Sequence, residues 1–320
     1  MKIGLIDIDN QIKKAKFPNI ALMKIASYHK SIGNTVEWYN TQSFNDPYDV
    51  VYMSKVFDFS LEPDYPIYSK KIIKGGVGYN LKNKLDDIIE NQFPDYSIYN
   101  ITDTAYGFLS RGCPRNCSFC NVTQHQGRRS VKVADLSEFW DGQKEIVLLD
   151  PNLTLCRQKY DILDQLIESK ATIDFSQGLD IRSLTKKFIS KLNELKFNTL
   201  HFAWDNYEFK TYEKLKKARP LLKGGRRKYT VYVLINFETT IDQDLERINK
   251  LKELDYWPFV MIYDKPNASI LHTKMQRWVN NRIIWERNWS YDEYINSFKK
   301  VPYKYYKWKG ETVGSQLTIF

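Results

Sequence analysis

Three of the chain's four cysteines lie within eight residues, at Cys113, Cys117 and Cys120, and form a C-x3-C-x2-C run. Thiolates are soft ligands that suit zinc and iron–sulfur clusters, and two short spacings let one loop wrap three sulfurs around a single metal centre. A four-iron cluster takes four cysteines, so a loop that supplies three leaves one iron open to a ligand from outside the protein. This spacing therefore predicts a metal centre with one open coordination position.

Two other side chains could complete the same site. His125 extends the run to C-x3-C-x2-C-x4-H and would close a structural zinc site with three cysteines and one histidine. Cys156 could act as a fourth thiolate and turn the cluster into a closed electron carrier, although a lone cysteine is more often a small buried apolar residue. The open cluster, the zinc site and the closed cluster are therefore alternatives at this point.

The elements around the run predict where it lies in the fold. The cysteines follow a strand candidate, Tyr106 to Ser110, and five more strand candidates separated by helical stretches continue to residue 263. Six βα units predict an α/β fold with a barrel-like parallel sheet, although a complete eightfold barrel needs about 250 residues and roughly 160 are present here. A partial barrel and an open sheet both accommodate six units. In either, the run lies at the carboxyl end of a parallel strand, where such sheets place active sites.

The first 100 residues show their own, shorter alternation of strands and helices. Strand candidates cover Lys2 to Ile8, Thr35 to Tyr39 and Asp49 to Met53, and a helix begins near Asn19 and ends at Gly33. This alternation predicts a small doubly wound parallel sheet. We therefore expect three regions in chain order: a small α/β domain over 1–100, a barrel over 101–265, and a helical extension with a basic aromatic tail over 266–320.

With Phe119 before its last cysteine, the run resembles the CxxxCxΦC motif of the radical S-adenosylmethionine (SAM) enzymes. The resemblance covers about residues 104–265 and implies a partial (β/α)6 barrel, similar to part of a TIM barrel. It also implies that Cys113, Cys117 and Cys120 hold a [4Fe-4S] cluster whose fourth iron is chelated by the amino and carboxylate groups of SAM. Reduction by a donor such as flavodoxin or ferredoxin would then cleave SAM to methionine and a 5'-deoxyadenosyl radical, which abstracts a hydrogen atom from the substrate.

Polar residues at the ends of the strand candidates would bind SAM in such an enzyme. The resemblance places Asp150 and Asn152 at the SAM amino group, where the family often has Gly-Gly-Glu. Arg182 has a planar fork suited to the SAM carboxylate, and Asp205 could accept hydrogen bonds from ribose hydroxyls. The complete set of expected SAM contacts is Phe119, Asp150, Asn152, Gln177, Arg182, Asp205 and Asn236. Each polar member could instead be a helix N-cap or a surface polar group.

The amino-terminal region resembles, in topology only, the domain that precedes the barrel in cobalamin-dependent members of the family. Those domains usually bind cobalamin through Asp-x-His-x-x-Gly after the first strand, whereas residues 7–11 here read Asp-Ile-Asp-Asn-Gln. We therefore expect a degenerate domain that does not bind cobalamin through a histidine and that serves substrate contacts or packing.

The chain carries 48 Lys and Arg against 38 Asp and Glu, and the whole excess lies after residue 100. Residues 214–228 hold eight basic side chains and no acidic one, and residues 299–309 interleave five lysines with tyrosine and tryptophan. Lysines bind phosphates and aromatic faces stack on bases, so these segments predict an RNA partner such as tRNA, with a merely basic surface as the alternative. The alternative function is a non-catalytic nucleic-acid-binding protein with a structural Cys3His zinc site.

Composition and apolar patterning exclude several classes of protein. No apolar run approaches the roughly 20 residues of a membrane-spanning helix, and Asp7 and Asp9 interrupt the start of the chain, where a signal peptide is apolar. Hydrophobic residues make up 42% of the chain, which is too many for a disordered protein, and four cysteines are too few for a disulfide scaffold. We therefore expect a cytoplasmic enzyme with no membrane partner.

Overall fold

The computed structural model describes residues 1–10 and 17–299, and it divides the chain into two compact units, residues 1–173 and 174–320. Both units contain parallel strands connected through helices, so the chain is of the α/β class that the sequence predicts. The expected boundaries near residues 100 and 265 stay predictions. The basic aromatic segment beyond residue 299 lies outside the described residues.

Four strands near the start of the chain form one parallel sheet, and they are β1 (Lys2–Asp7), β2 (Thr35–Trp38), β3 (Val50–Ser54) and β4 (Ile72–Gly75). Their order across the sheet is β2-β1-β3-β4. Strand β2 therefore lies on one side of β1, and β3 and β4 lie on the other side. Helix α1 (Ile20–Ser31) begins where the Asn19 side chain accepts a hydrogen bond from the N–H of Leu22 at 3.2 Å. It buries its apolar side against β1 and β3, and the short helix α2 (Asp87–Glu90) follows β4.

The middle of the chain forms a second sheet. The elements are β5 (Thr104–Gly107), β6 (Ser110–Arg111), α3 (Val122–Gln126), β7 (Val131–Lys132), β8 (Glu145–Leu148), α4 (Lys159–Ser169) and β9 (Thr172–Phe175). Strands β5, β8 and β9 form the sheet in that order, while β6 and β7 pair with each other in the antiparallel direction. The boundary between the two units falls inside β9.

Strand β5 ends earlier than the sequence predicts. It stops at Gly107 instead of Ser110, because the N–H groups of Leu109 and Ser110 donate to the carboxylate of Asp150 and not to a neighbouring strand. A buried side chain has here replaced the sheet as the partner of the backbone. The consequence is a corner between β5 and β6, directly before the cysteine run.

Residues 174–320 contain a third sheet of three parallel strands. The strands are β10 (Leu200–Ala203), β11 (Tyr229–Ile235) and β12 (Trp257–Ile262), paired in that order. The helices are α5 (Lys186–Leu192), α6 (Phe209–Ala218), α7 (Ile241–Glu253), α8 (Ile270–Asn280), α9 (Arg282–Glu286) and α10 (Tyr291–Lys299). One face of the sheet is fully buried at Phe202, Val231 and Val260.

All six strand candidates expected for the barrel are present, as β5, β8, β9, β10, β11 and β12, and they lie in two sheets of three strands. Between β12 and residue 299 the structure has three α-helices, in the region where the sequence predicts a helical extension. No helix in the described part of the chain is long and apolar enough to cross a membrane.

Candidate functional site

The three cysteines lie on the connection from β6 to β7, just before α3, and their side chains are half-buried. The connection begins with a turn at Gly112, whose φ is +86°, and a Cβ there would lie 2.1 Å from the carbonyl oxygen of Arg129, so only glycine fits. The N–H of Cys113 donates to the carbonyl oxygen of Gly127 at 3.1 Å. These two features fix the start of the loop that holds the cysteines.

The sulfur of Cys113 accepts two hydrogen bonds. Nδ2 of Asn152 donates to Cys113 Sγ at 3.3 Å, and the N–H of Arg115 donates to the same atom at 3.5 Å. Donors directed at a sulfur stabilise negative charge on it, and such bonds help to set the reduction potential of iron–sulfur clusters. The surroundings of Cys113 therefore suit a thiolate that binds a metal.

The donor set fits a soft metal centre, because it consists of three thiols within eight residues of one loop. Within residues 1–10 and 17–299, no three Cys, His, Asp or Glu side chains are already close enough together to hold a metal ion. Binding would therefore draw the three sulfurs together, as happens at sites that form with their metal. Phe119 lies between the last two cysteines and is half-buried.

Asp150, which follows β8, holds the corner that leads into the cysteine loop. Its carboxylate is buried and accepts hydrogen bonds from the N–H of Leu109 at 3.1 Å, from Ser110 Oγ at 2.7 Å and from the N–H of Ser110. Burial raises the pKa of Asp150 to about 6, although the hydrogen bonds act in the opposite direction. Both carboxylate oxygens are thus engaged in positioning the backbone before Cys113.

Asn152 connects the end of β8 directly to the cysteine loop. Its Nδ2 donates to Cys113, while its Oδ1 accepts from Thr154 Oγ1 at 2.6 Å, which fixes the orientation of the amide. Its backbone carbonyl accepts from Ser130 Oγ at 2.8 Å. Asn152 is also buried, so its position is set by neighbours on both sides of the loop.

The two residues that could complete the metal site have other surroundings. His125 lies in α3, and its Nδ1 donates to the carbonyl oxygen of Leu81 at 2.7 Å, because a carbonyl oxygen can only accept. Cys156 is buried, its Sγ lies 3.6 Å from Oε1 of Gln158, and burial raises the pKa of its thiol. These contacts agree with a buried apolar role for Cys156.

The first 100 residues contain one histidine, and it does not lie at the carboxyl edge of the amino-terminal sheet. His29 is buried in α1, where its ring nitrogens lie 3.0 Å from Tyr52 Oη and 2.9 Å from Asn34 Nδ2. Asp7, at the end of β1, is buried and accepts a hydrogen bond from Tyr99 Oη at 2.6 Å. Burial raises the pKa of Asp7.

In the unit formed by residues 174–320, Gln177 and Arg182 follow β9. Gln177 is half-buried in the turn at Gly178. Arg182 Nε donates to Asp180 Oδ1 at 2.8 Å, so the guanidinium predicted to bind the SAM carboxylate already pairs with a carboxylate of its own chain. To bind the carboxylate of SAM, Arg182 would have to release Asp180 or contact both carboxylates at once.

Sequence reasoning missed the residue that organises the ends of β10 and β11. Arg247 in α7 has no solvent exposure, and it donates to the backbone carbonyls of Asp205 at 2.8 Å and Leu234 at 2.6 Å as well as to that of Trp204. Asp244 compensates its charge at 2.6 Å. Asp244 and Arg247 lie one turn apart on the side of α7 that otherwise carries apolar residues. Two charges at such positions are visible in the sequence and indicate a buried ion pair.

Asp205 and Asn236 lie at the ends of the strands that Arg247 joins. Burial raises the pKa of Asp205 to about 6, while the positive charges of Arg247 and Arg182 oppose the shift. Asn236 has a left-handed backbone conformation, with φ of +64°, and its Nδ2 donates to the carbonyl oxygen of Tyr263 at 3.0 Å. Asn236 thereby connects the end of β11 to the end of β12.

The expected site residues thus fall into two groups, one in each unit. In residues 1–173 the structure brings Asn152 to Cys113 and brings Asp150 to the preceding corner. In residues 174–320 Arg247 organises the backbone at Asp205, and Arg182 pairs with Asp180. No protein-family model matches the chain, and no curated protein matches it either.

Proposed function

We propose that the chain is a radical SAM enzyme in which Cys113, Cys117 and Cys120 hold a [4Fe-4S] cluster. The observation that carries the proposal is a loop of three half-buried cysteines with the spacing C-x3-C-x2-C, fixed at its start and hydrogen-bonded through Cys113 Sγ. The loop follows the short strand β6, close to the start of a series of strands and helices in an α/β fold. Phe119 completes the resemblance to the family's motif.

With cluster and SAM bound, such a centre supplies a carbon radical that removes a hydrogen atom from the substrate. The chain's own residues would prepare the site for it. The three cysteines ligate as thiolates, and Asn152 disperses part of the negative charge on Cys113 through its N–H···S bond. Asp150 holds the corner before the loop, so that Cys113 begins in a fixed position.

The remaining SAM contacts are part of the same proposal. Gln177, Arg182, Asp205 and Asn236 would supply polar groups to SAM, and Arg182 would exchange Asp180 for the SAM carboxylate. The proposal includes a partial (β/α)6 barrel, and its support is the presence of all six expected strands. A flavodoxin or ferredoxin would deliver the electron, and cobalamin has no part in it. RNA as the substrate stays a prediction from the basic segments.

Anaerobic reconstitution with iron and sulfide tests the proposal. The chain should take up about four irons and convert SAM to 5'-deoxyadenosine when a strong reductant is present. The Cys120→Ala variant should lose both properties and remain folded, whereas Cys156→Ala, a matched change outside the run, should keep both. Tightly bound zinc that iron does not replace, or equal loss in both variants, would contradict the open cluster.

A further inference from the structure

Exposed aromatic rings lie along the carboxyl edge of the sheet β10-β11-β12. Because these strands are parallel, the chain leaves each of them at the same edge, in what we call the edge segments, residues 204–210, 236–242 and 263–269. Tyr207, Phe209 and Tyr263 in these segments expose 43%, 71% and 43% of their surface. Phe237 lies against Tyr263, with ring centroids 4.8 Å apart. Exposed apolar side chains that are grouped at one edge of a sheet mark a candidate binding site.

The edge segments are also acidic. They contain five carboxylates against two lysines, namely Asp205, Glu208, Glu238, Asp242 and Asp264 against Lys210 and Lys265. Across the described part of the chain, Glu208, Glu238, Asp242 and Asp264 form no salt bridge. Acidic residues favour helix N-termini, which accounts for Asp242 in the first turn of α7, but that preference gives no reason for exposed rings beside them.

A basic segment of this unit leads into the other edge of the same sheet. Residues 219–228 lead from α6 into the start of β11, and they carry five basic side chains and no acidic one. The parallel direction of the strands therefore separates a negative edge, where the strands end, from a positive edge, where they begin. A polyanion that followed residues 219–228 would bind away from Asp205 and Asn236.

We propose that the edge segments bind a basic peptide segment as the substrate of the enzyme proposed above. Lysine and arginine side chains are attracted both to the faces of exposed aromatic rings and to carboxylates that form no salt bridge among the described residues. Neighbouring strands lie about 4.8 Å apart, so the three strand ends span about 10 Å, the length of roughly three extended residues. Phosphates of an RNA would meet repulsion from the same carboxylates. That the bound peptide is a substrate rests on the proposed function, whereas binding of the peptide does not.

Binding of a labelled peptide tests the inference directly. Fluorescein-labelled hexalysine, titrated into the full chain and followed by anisotropy, should bind saturably and more weakly as salt rises. The Glu208→Lys/Glu238→Lys variant should weaken binding at least tenfold. A matched reversal at the other edge, Lys223→Glu/Arg226→Glu, should not weaken it. Thermal unfolding of both variants confirms that they remain folded.

Replacement of the rings separates the peptide from other ligands. Phe209→Ala/Tyr263→Ala should weaken hexalysine binding and leave tRNA binding unchanged. The inference is overturned if the ring variant loses tRNA binding instead, if spermine binds as tightly as hexalysine, or if reversal of the two glutamates has no effect. The Cys120→Ala variant should bind the peptide normally, so a failure of the cluster and a failure of the peptide site give different results.

Discussion

At the scale of single residues, Asn152 is the side chain that most directly links the sheet to the proposed metal ligands. Its amide is oriented by Thr154, so the N–H rather than the carbonyl oxygen faces Cys113. A hydrogen bond to a charged sulfur stabilises the more negative, reduced form of a cluster. Asn152 therefore has a role that differs from the sequence-based expectation of a contact to the SAM amino group. The two roles are compatible because the amide oxygen, which accepts from Thr154, has a second lone pair that can accept from an amino group.

The Asn152→Ala variant should still assemble a cluster, because the three cysteines are unchanged. Its reduction potential should fall by about 60 mV, which corresponds to roughly 1.4 kcal/mol, the size of one hydrogen bond to a charged group. A redox titration followed by electron paramagnetic resonance measures the shift. Ser130→Ala removes a bond to the backbone carbonyl of Asn152 and leaves the donor in place, so its potential should be unchanged. Equal potentials in the natural chain and Asn152→Ala would contradict the role.

At the scale of elements, the sequence predicts those helix ends that depend on residues close in the chain. Asn19 and Gly33 gave both ends of α1, because a side-chain cap and a positive φ are local requirements. The sequence predicts that β5 ends closer to the cysteines than it does, because the end of β5 depends on Asp150, some 40 residues later. The sequence analysis does not predict the pairing of Arg182 with Asp180, although these two residues are close in sequence.

For the candidate site, the sequence predicts the types of residue but not the hydrogen bonds that these residues form. The cysteine spacing and the polar residues after each strand are visible in the sequence, because parallel strands bring their carboxyl ends to one edge. Arg247 was missed, because its three carbonyl partners come from the ends of two strands and only the folded chain brings them together. Helix α7 is thereby anchored to the sheet through polar contacts as well as through its apolar stripe.

Replacement of Arg247 should destabilise this unit strongly. Arg247→Met removes the ion-pair partner of the buried Asp244 carboxylate and the side-chain donor of three backbone carbonyls. Loss of one partner of a buried pair costs about 3–5 kcal/mol. The Arg247→Met/Asp244→Leu variant should recover part of this loss, because it removes the buried charge as well. Urea denaturation measures both. Lys250→Met removes only a half-exposed salt bridge to Glu246 and should change stability by about 1 kcal/mol or less. A small effect of Arg247→Met would show that water replaces its contacts.

At the scale of the whole molecule, buried or half-buried carboxylates recur where parallel strands end. Asp7 follows this pattern at β1, Asp150 after β8 and Asp205 after β10. Burial raises the pKa of each, to about 6 for Asp150 and Asp205. In the unfolded chain an aspartate has a pKa near 3.9. Between about pH 4 and pH 6 the folded chain therefore holds protons that the unfolded chain has released.

This difference in bound protons makes the folded state less stable as the pH rises through that window. The stabilisation from protonated Asp150 is complete below about pH 4 and is lost above about pH 6; its full size is roughly 3 kcal/mol for a shift of about two pKa units. Between pH 5 and pH 7 the natural chain should lose about 1 kcal/mol more unfolding free energy than Asp150→Asn, which cannot titrate.

Urea denaturation at pH 5, 6 and 7 measures this difference in the two proteins. His29, whose pKa burial lowers, acts in the opposite direction, but it is present in both proteins and cancels in the comparison. A Glu246→Gln variant serves as the control, because the hydrogen bond from Lys250 lowers the pKa of this carboxyl, so its titration makes the folded chain more stable and not less stable as the pH rises. Parallel stability curves for the natural chain and Asp150→Asn would mean that Asp150 stays ionised throughout. In that case its hydrogen bonds to the corner before the cysteine loop would outweigh the effect of burial.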